Sequence, residues 1–436
     1  IFGLRTSAGF GDRLGLATPG HVRAVLNTGI APIFAQQSVR ENARTGRTPQ
    51  QVLDDATWGL FQANWGAFAQ PWGADADHLK TPADLPAFLT AGYTFFTIDP
   101  GEHVQPVAAG ETVSALRARL GQAQADDLCA EYLSRDFDLG EARLAFDQRS
   151  LLAAAVKYSR AVAHAAEMFR LLARAFGSRP FDFEVSVDET DSPTTPLEHL
   201  FIASELKRQG VRWVSLAPRF VGIFEKGVDY IGDLGEFRRQ FALHAAIARE
   251  LGPYKLSLHS GSDKFSIYPI AAELTGGLVH LKTAGTSYLE ALRAVARVNP
   301  DLFREILAFA IERYPTDKAS YHVSADLAKV IRPAAVADRD RCIAYAYTEI
   351  TLKQDADAVL LIGADDSEKV WVNGRLVYEM LVPRALTVDQ DRVPVKLKAG
   401  VNTILLKIWQ NTLGWEFCLR IATPDGKPLP FAQKAQ

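Results

Sequence analysis

Short apolar runs alternate with longer stretches of helical periodicity over the first three quarters of the chain. The runs are "GFGDRLGLA", "APIFAQQ", "YTFFTID", "FDFEVSVDET", "VRWVSLAP", "YKLSLHSG", "LVHLKTAG" and "ASYHVSAD". Between them, segments such as "LLAAAVKYSRAVAHAAEMFRLLARAFG" and "LGEFRRQFALHAAIARELG" repeat apolar residues at the spacing of one helix face. Polar caps or prolines in "SPTTPLEH" and "NPDLFRE" mark helix starts. Strands alternating with helices in this way predict an α/β fold, a TIM-like (β/α)8 barrel over residues 1–330. An open doubly wound sheet is the alternative. The connection over roughly 100–180 is long and predicts an extra excursion.

The pattern then changes. After "IRPAAVADRDR", a linker at residues 331–341, the helical period disappears. From Cys342 on, alternating runs such as "CIAYAYTEITL", "KVWVNGRLVYEML" and "NTILLKIWQ" are separated by turn signals, of which "VNGR" has the form of a two-residue hairpin. Residues 342–436 therefore read as a small all-β sandwich, an accessory domain. Trp371 and Trp409 are expected in its core, with Trp415 in packing, domain docking or sugar stacking.

Composition excludes several classes. The 436 residues carry a net charge of −3, with no basic footprint for nucleic acid. No apolar run reaches the ~18 residues that a membrane helix needs. Three scattered cysteines suggest neither a disulfide framework nor a zinc ribbon. A cytoplasmic location is the expectation, and because the chain starts at Ile1 rather than methionine, export after loss of a leader is the alternative. "GFGDRLG" has Leu14 where a dinucleotide fingerprint needs its third glycine, and no phosphate-loop motif occurs.

Chemistry in a barrel sits at the carboxyl ends of the strands. There the sequence offers Asp99, Glu102 and His103, then Asp188 and Glu189, then His259, then His280 with Lys282, and finally His322. Several imidazoles and carboxylates converging on one mouth suit a divalent transition metal, with zinc, manganese, nickel and cobalt not distinguished. His103, His259 and His322 are the expected ligands. His280 lies one layer deeper, and either it or Glu189 completes or supports the shell. His164, His199 and His244 fall in helical segments and read as structural, and His21 is undecided.

These blocks resemble the tagaturonate epimerase family. The matching text is "GFGDRLGLATPGH", "FFTIDPGEHV", "FEVSVDETDSPTTPLEH", "WVSLAPRFVGIFEKGVDY", "LSLHSGSDKFSIYP", "HLKTAGTSYLEALR" and "YHVSADL", in order up to about residue 330. The resemblance implies a barrel and a metal-dependent epimerase that interconverts fructuronate and tagaturonate, with fructose and tagatose as substrates of related members. The terminal sandwich departs from the family and resembles accessory modules of carbohydrate-active proteins.

For such a substrate the inverted carbon lies β to the ketone, so its hydrogen is not acidified. Retro-aldol cleavage and re-addition is then the expected route. Glu102 and Glu189 become the expected acid/base pair. Arg13, Asp188, Lys264 and Lys282 become the expected sugar-binding groups, their alternative being salt bridges in the barrel wall. The rival class is a carbohydrate-binding or catalytically inactive barrel. A small sugar or sugar acid is the expected partner, and a homo-oligomer is left open.

Overall fold

The computed structural model describes residues 1–68, 70–140, 142–283, 285–320, 323–327, 343–409 and 416–433. The chain divides into two compact units, one of Ile1–Pro300 with Lys318–Ser324 and one of Asp301–Asp317 with Ala325–Gln436.

The first unit contains a closed barrel of eight parallel strands. They are β1 (Ser7–Gly11), β2 (Ala31–Ser38), β3 (Gly73–Leu79), β4 (Phe95–Ile98), β5 (Asp182–Val187), β6 (Ser215–Pro218), β7 (Lys255–Leu258) and β8 (Val279–Lys282). Neighbours in space are neighbours in sequence, and β8 pairs with β1 to close the ring. The expected barrel is therefore present, but one stave differs. The described residues of "ASYHVSAD", 319–320 and 323–326, belong to no strand of the barrel. The missing stave is "GADADHL", which forms β3 between β2 and β4.

This segment carries no β-branched or aromatic residue, which hides it from a propensity-based reading. Its period is nonetheless two: Ala74 and Ala76 pack outward in the main core, while Asp75 and Asp77 turn inward to Lys282.

The helices form where their caps demand. Asp147 and Ser150 make a reciprocal capping box for the helix Gln148–Phe176, and Thr195 with Glu198 does the same for Pro196–Arg208. The long connection between β4 and β5 holds the helices Val113–Leu120, Gln122–Tyr132 and Gln148–Phe176 with a short hairpin among them. The hydrophobic core lies between the outer strand faces and the helices, and includes Phe96, Val185, Leu216 and Leu256.

The second unit holds two antiparallel sheets. Its strands are β9 (Ile343–Leu352), β10 (Ala356–Ala364), β11 (Ser367–Val372), β12 (Arg375–Met380), β13 (Asp391–Leu397), β14 (Gly400–Trp409), β15 (Phe417–Ala422) and β16 (Ala432–Gln433). One sheet has the order β12-β11-β14-β9-β16, the other β13-β10-β15. Asn373 and Gly374, both at positive φ, make the expected hairpin turn.

Parity overturns the expected place of two tryptophans. Val370, Val372, Leu406 and Ile408 fill the core, so the interleaved Trp371 and Trp409 face the other side, and Trp409 is exposed. Trp415 and Cys342 lie outside the described residues. Among the described residues, no helix is long and apolar enough to cross a membrane.

Candidate active site

The carboxyl ends of β1, β2, β3, β5, β7 and β8 open onto one cleft. A Cβ on Gly11 would lie 2.5 Å from the Gly285 backbone nitrogen after β8, and a Cβ on Gly9 would overlap the Gln36 side chain of β2, so "GFG" answers packing needs on both sides of β1.

Deep in the barrel, Lys282 Nζ lies 2.8 Å from Asp75, 2.7 Å from Asp77 and 3.3 Å from Glu184, and it donates to the Thr97 hydroxyl. Burial opposes its charge, but these three carboxylates hold it protonated. One ammonium does not neutralise three acids. Burial, only partly offset by Lys282, pushes the Asp75 carboxyl up to about 7. For Glu184 burial is outweighed by Lys282 and then His259, which keep it well below the usual carboxylate range.

Above this layer, His78, Asp188 and His259 each bring one ligand-type atom within 4.8 Å of the others. His259 Nε2 is held by Glu184 at 2.8 Å, while Nδ1 lies 3.1 Å from Asp188. His78 repeats the arrangement, with Nδ1 held by Asp77 at 2.6 Å and Nε2 lying 3.6 Å from Asp188. Each imidazole thus has one nitrogen fixed by a buried carboxylate and the other aimed at a shared point. This is how carboxylates orient metal-binding histidines.

Burial would lower the His78 pKa, but Asp77 and Asp188 hold it well above its ordinary value. His259 is likewise raised: burial lowers it most, but Asp188 and Glu184 together outweigh that. The cluster attracts positive charge. Two imidazoles and a carboxylate facing a cleft fit a divalent transition metal with room for substrate.

His78 reaches this point through an irregular backbone. The β3–β4 register shifts between Ala76 and Leu79, and His78 has φ +55°. The bulge lets consecutive residues Asp77 and His78 both line the cleft, where strict alternation would separate them. Arg13, Arg40 and Lys226 line the cleft as well. Arg13 pairs with Glu41 at 3.3 Å and Arg40 with Glu189 at 3.0 Å. Burial and then the two guanidiniums lower the Lys226 pKa, as expected of crowded cations.

Of the residues singled out from sequence, the cleft gathers Arg13, Asp188, Glu189, His259 and Lys282. Asp188 sits within the histidine cluster, and Lys282 is occupied by Asp75, Asp77 and Glu184. Glu102 is exposed on the turn after β4, outside the cleft lining; the neighbouring Gly101 borders the Glu189 carbonyl. His103, on the same turn, stacks on His164 with ring centroids 4.1 Å apart. His280 is fully buried beside Ser7, 2.9 Å from its hydroxyl, and burial lowers its pKa to about 3. Lys264 is buried and donates to backbone carbonyls. His322 lies outside the described residues.

Sequence reasoning missed His78, Asp75, Asp77, Arg40 and Lys226. The alternation of alanine with aspartate in "GADAD" was the available signal for the first three. Arg40 and Lys226 belong to a loop-like helix start and a loop, where no periodicity identifies them.

The sequence profile of tagaturonate epimerase matches residues 2–349. The tagaturonate/fructuronate epimerase of Thermotoga maritima is 50% identical over 341 residues, spanning 78% of this chain and 69% of that protein. Among solved structures, native fructuronate-tagaturonate epimerase from Cohnella laeviribosi aligns with a TM-score of 0.73 at 41% identity, covering 77% of this chain and 68% of that one. Its glycerol complex aligns equally well. On the strength of these matches, the chain belongs to the tagaturonate epimerase family and is an isomerase.

Proposed function

We propose that the barrel unit is a metal-dependent epimerase that interconverts fructuronate and tagaturonate by retro-aldol cleavage, with the sandwich as an accessory domain. Family membership supports the reaction class. One observation carries the finer reading: a two-histidine, one-carboxylate cluster shares a cleft with Arg13, Arg40 and Lys226. His78, Asp188 and His259 would hold the cation, and when bound it supplies Lewis-acid polarisation of the ketone. The three cations offer charge-assisted partners for a sugar carboxylate, which favours the uronates over neutral ketoses.

Chain residues perform the proton work. Glu189, on the cleft wall, takes the proton from the C4 hydroxyl as the C3–C4 bond breaks. The aldehyde so formed turns its other face, the bond re-forms, and the proton returns to oxygen. Glu102 is the second acid/base in this scheme, from the turn that borders Glu189. Asp77 and Glu184 keep the two imidazoles oriented throughout.

The test is epimerisation of fructuronate in heavy water by the metal-loaded enzyme. Retro-aldol chemistry leaves the C4 hydrogen in place, so no deuterium is expected there. Glu189→Gln and Glu102→Gln should lower kcat far more than metal content. Deuterium at C4 would refute the route, and normal kcat in one variant would remove that glutamate from it.

A further inference from the structure

We propose that Lys264 is a positioning residue that holds Lys226 at the substrate by clamping the loop around it. The inference rests on the substrate-binding role given to Lys226 above.

Residues 219–233 leave β6 as a loop that lines the cleft through Phe220, Phe224 and Lys226. Its neck is closed by paired backbone bonds between Ile223 and Ile231, at 2.9 and 3.3 Å. Tyr230 donates to the Val221 carbonyl at 3.2 Å, and its ring crosses the neck. Gly222, at φ +87°, makes way for that ring: a Cβ there would lie 2.3 Å from the phenol oxygen.

Beyond the neck, Lys264 holds the tip. Its Nζ donates to the carbonyls of Glu225 and Val228, both at 2.6 Å, and of Ser262 at 2.9 Å. An ammonium has three N–H groups and no acceptor, so these bonds saturate it. Glu225 and Val228 flank Lys226–Gly227, so one nitrogen fixes the backbone on both sides of Lys226.

Lys264 itself is fully buried and lies outside the cleft lining. Its support is rigid. Tyr268 accepts from the Lys264 backbone at 3.1 Å and donates to the Gly261 carbonyl, while Gly261 N–H bonds the β8 carbonyl of Lys282 at 2.9 Å. Burial lowers the Lys264 pKa to about 8, which leaves it protonated at neutral pH. A second tether runs from exposed Asp229, whose carboxylate accepts from Ser266 N at 3.2 Å and Oγ at 2.9 Å. The segment "GSDKFS" is thus a clamp on the neighbouring loop.

The experiment is a double-mutant cycle on the metal-loaded full chain, with kcat and KM for fructuronate, bound metal and melting temperature measured throughout. Lys226→Met should raise KM about tenfold, the scale of one lost charge-assisted bond. Lys264→Met should raise KM similarly with metal content unchanged, yet add nothing in the Lys226→Met background. If Lys264→Met fails to fold, Asp229→Ala carries the test: KM should rise about threefold in the native background and not at all in Lys226→Met. Unchanged KM in Lys226→Met would overturn the carboxylate reading, and this inference with it. Raised KM there, with Lys264→Met or Asp229→Ala still multiplying it, would overturn the clamp alone. Unchanged KM in a folded Lys264→Met would do the same.

Discussion

The inside of the barrel and the inside of the sandwich are opposites. Between the two sheets lie Leu360, Ile362, Val372, Ile404 and Leu406, an apolar filling of the ordinary kind. Within the ring of barrel strands lie Asp75, Thr97, Glu184, Lys255, His280 and Lys282, all buried and almost all capable of carrying charge or a proton. The barrel tolerates this because its hydrophobic core is elsewhere, in the shell of helices around it. A fold whose stability resides in its outer layer leaves its centre for chemistry. A sandwich has no further layer outside its two sheets, so its centre must be apolar.

That contrast predicts how each region responds to damage. The largest effect is expected at the barrel centre, where His259→Ala should abolish cation binding at the proposed site. kcat/KM should then fall by more than ~100-fold, the upper range for losing merely an outer partner of a metal site. Metal analysis beside kinetics checks this, and a variant that retains full metal would exclude His259 as a ligand.

In the sandwich, Leu406→Ala should cost about 2–5 kcal/mol of that unit's stability while kcat stays native. Urea unfolding followed alongside turnover would separate the two. A matching loss of kcat would blur the division between them.

The smallest effect belongs to the helical shell. His199 Nδ1 lies 2.9 Å from His244 Nδ1, and Tyr254 bonds the other His199 nitrogen at 2.7 Å. Burial lowers His244 to about 3, and burial with His244 nearby lowers His199 well below its ordinary value. The unfolded chain therefore binds protons here that the folded chain refuses. Stability should be full above pH 6.5 and fall as pH drops below it, His244 contributing about 1.4 kcal/mol of that loss by pH 5.5. Melting temperatures between pH 7.5 and 5.5 should show a shallower slope in His244→Leu, and an unaltered slope would acquit the pair.

The alternation of apolar runs with helices made most of the barrel readable, since each of those runs must bury an outward face. It failed at β3, where small alanines replace the bulky residues that usually announce a strand, and where aspartates face inward. With that strand hidden, the linear pattern points to "ASYHVSAD" for the eighth stave. The same miss concealed His78, half of the histidine pair. His259 was legible because it directly follows the apolar run of β7. His103 and His280 are also close to strands, but one stacks on another histidine and the other is sealed below the cleft. A linear pattern places His280 one layer below the strand end, but does not show which side chain a loop residue such as His103 packs against. Lys264 marks another limit: its partners are backbone carbonyls of another loop, which side-chain patterns do not encode.

The left-handed backbone at His78 also restricts how this site can be redesigned. At φ +55° asparagine, aspartate, histidine and glycine are at ease, while valine, isoleucine and threonine are excluded by their branched Cβ. For the proposed metal site, an exchange of ligands aimed at a harder or softer cation is therefore cheapest at Asp188 or His259. At position 78 the tolerable replacements are asparagine and aspartate, which bind through oxygen, so variation there drifts towards hard cations and away from thiolate-loving ones.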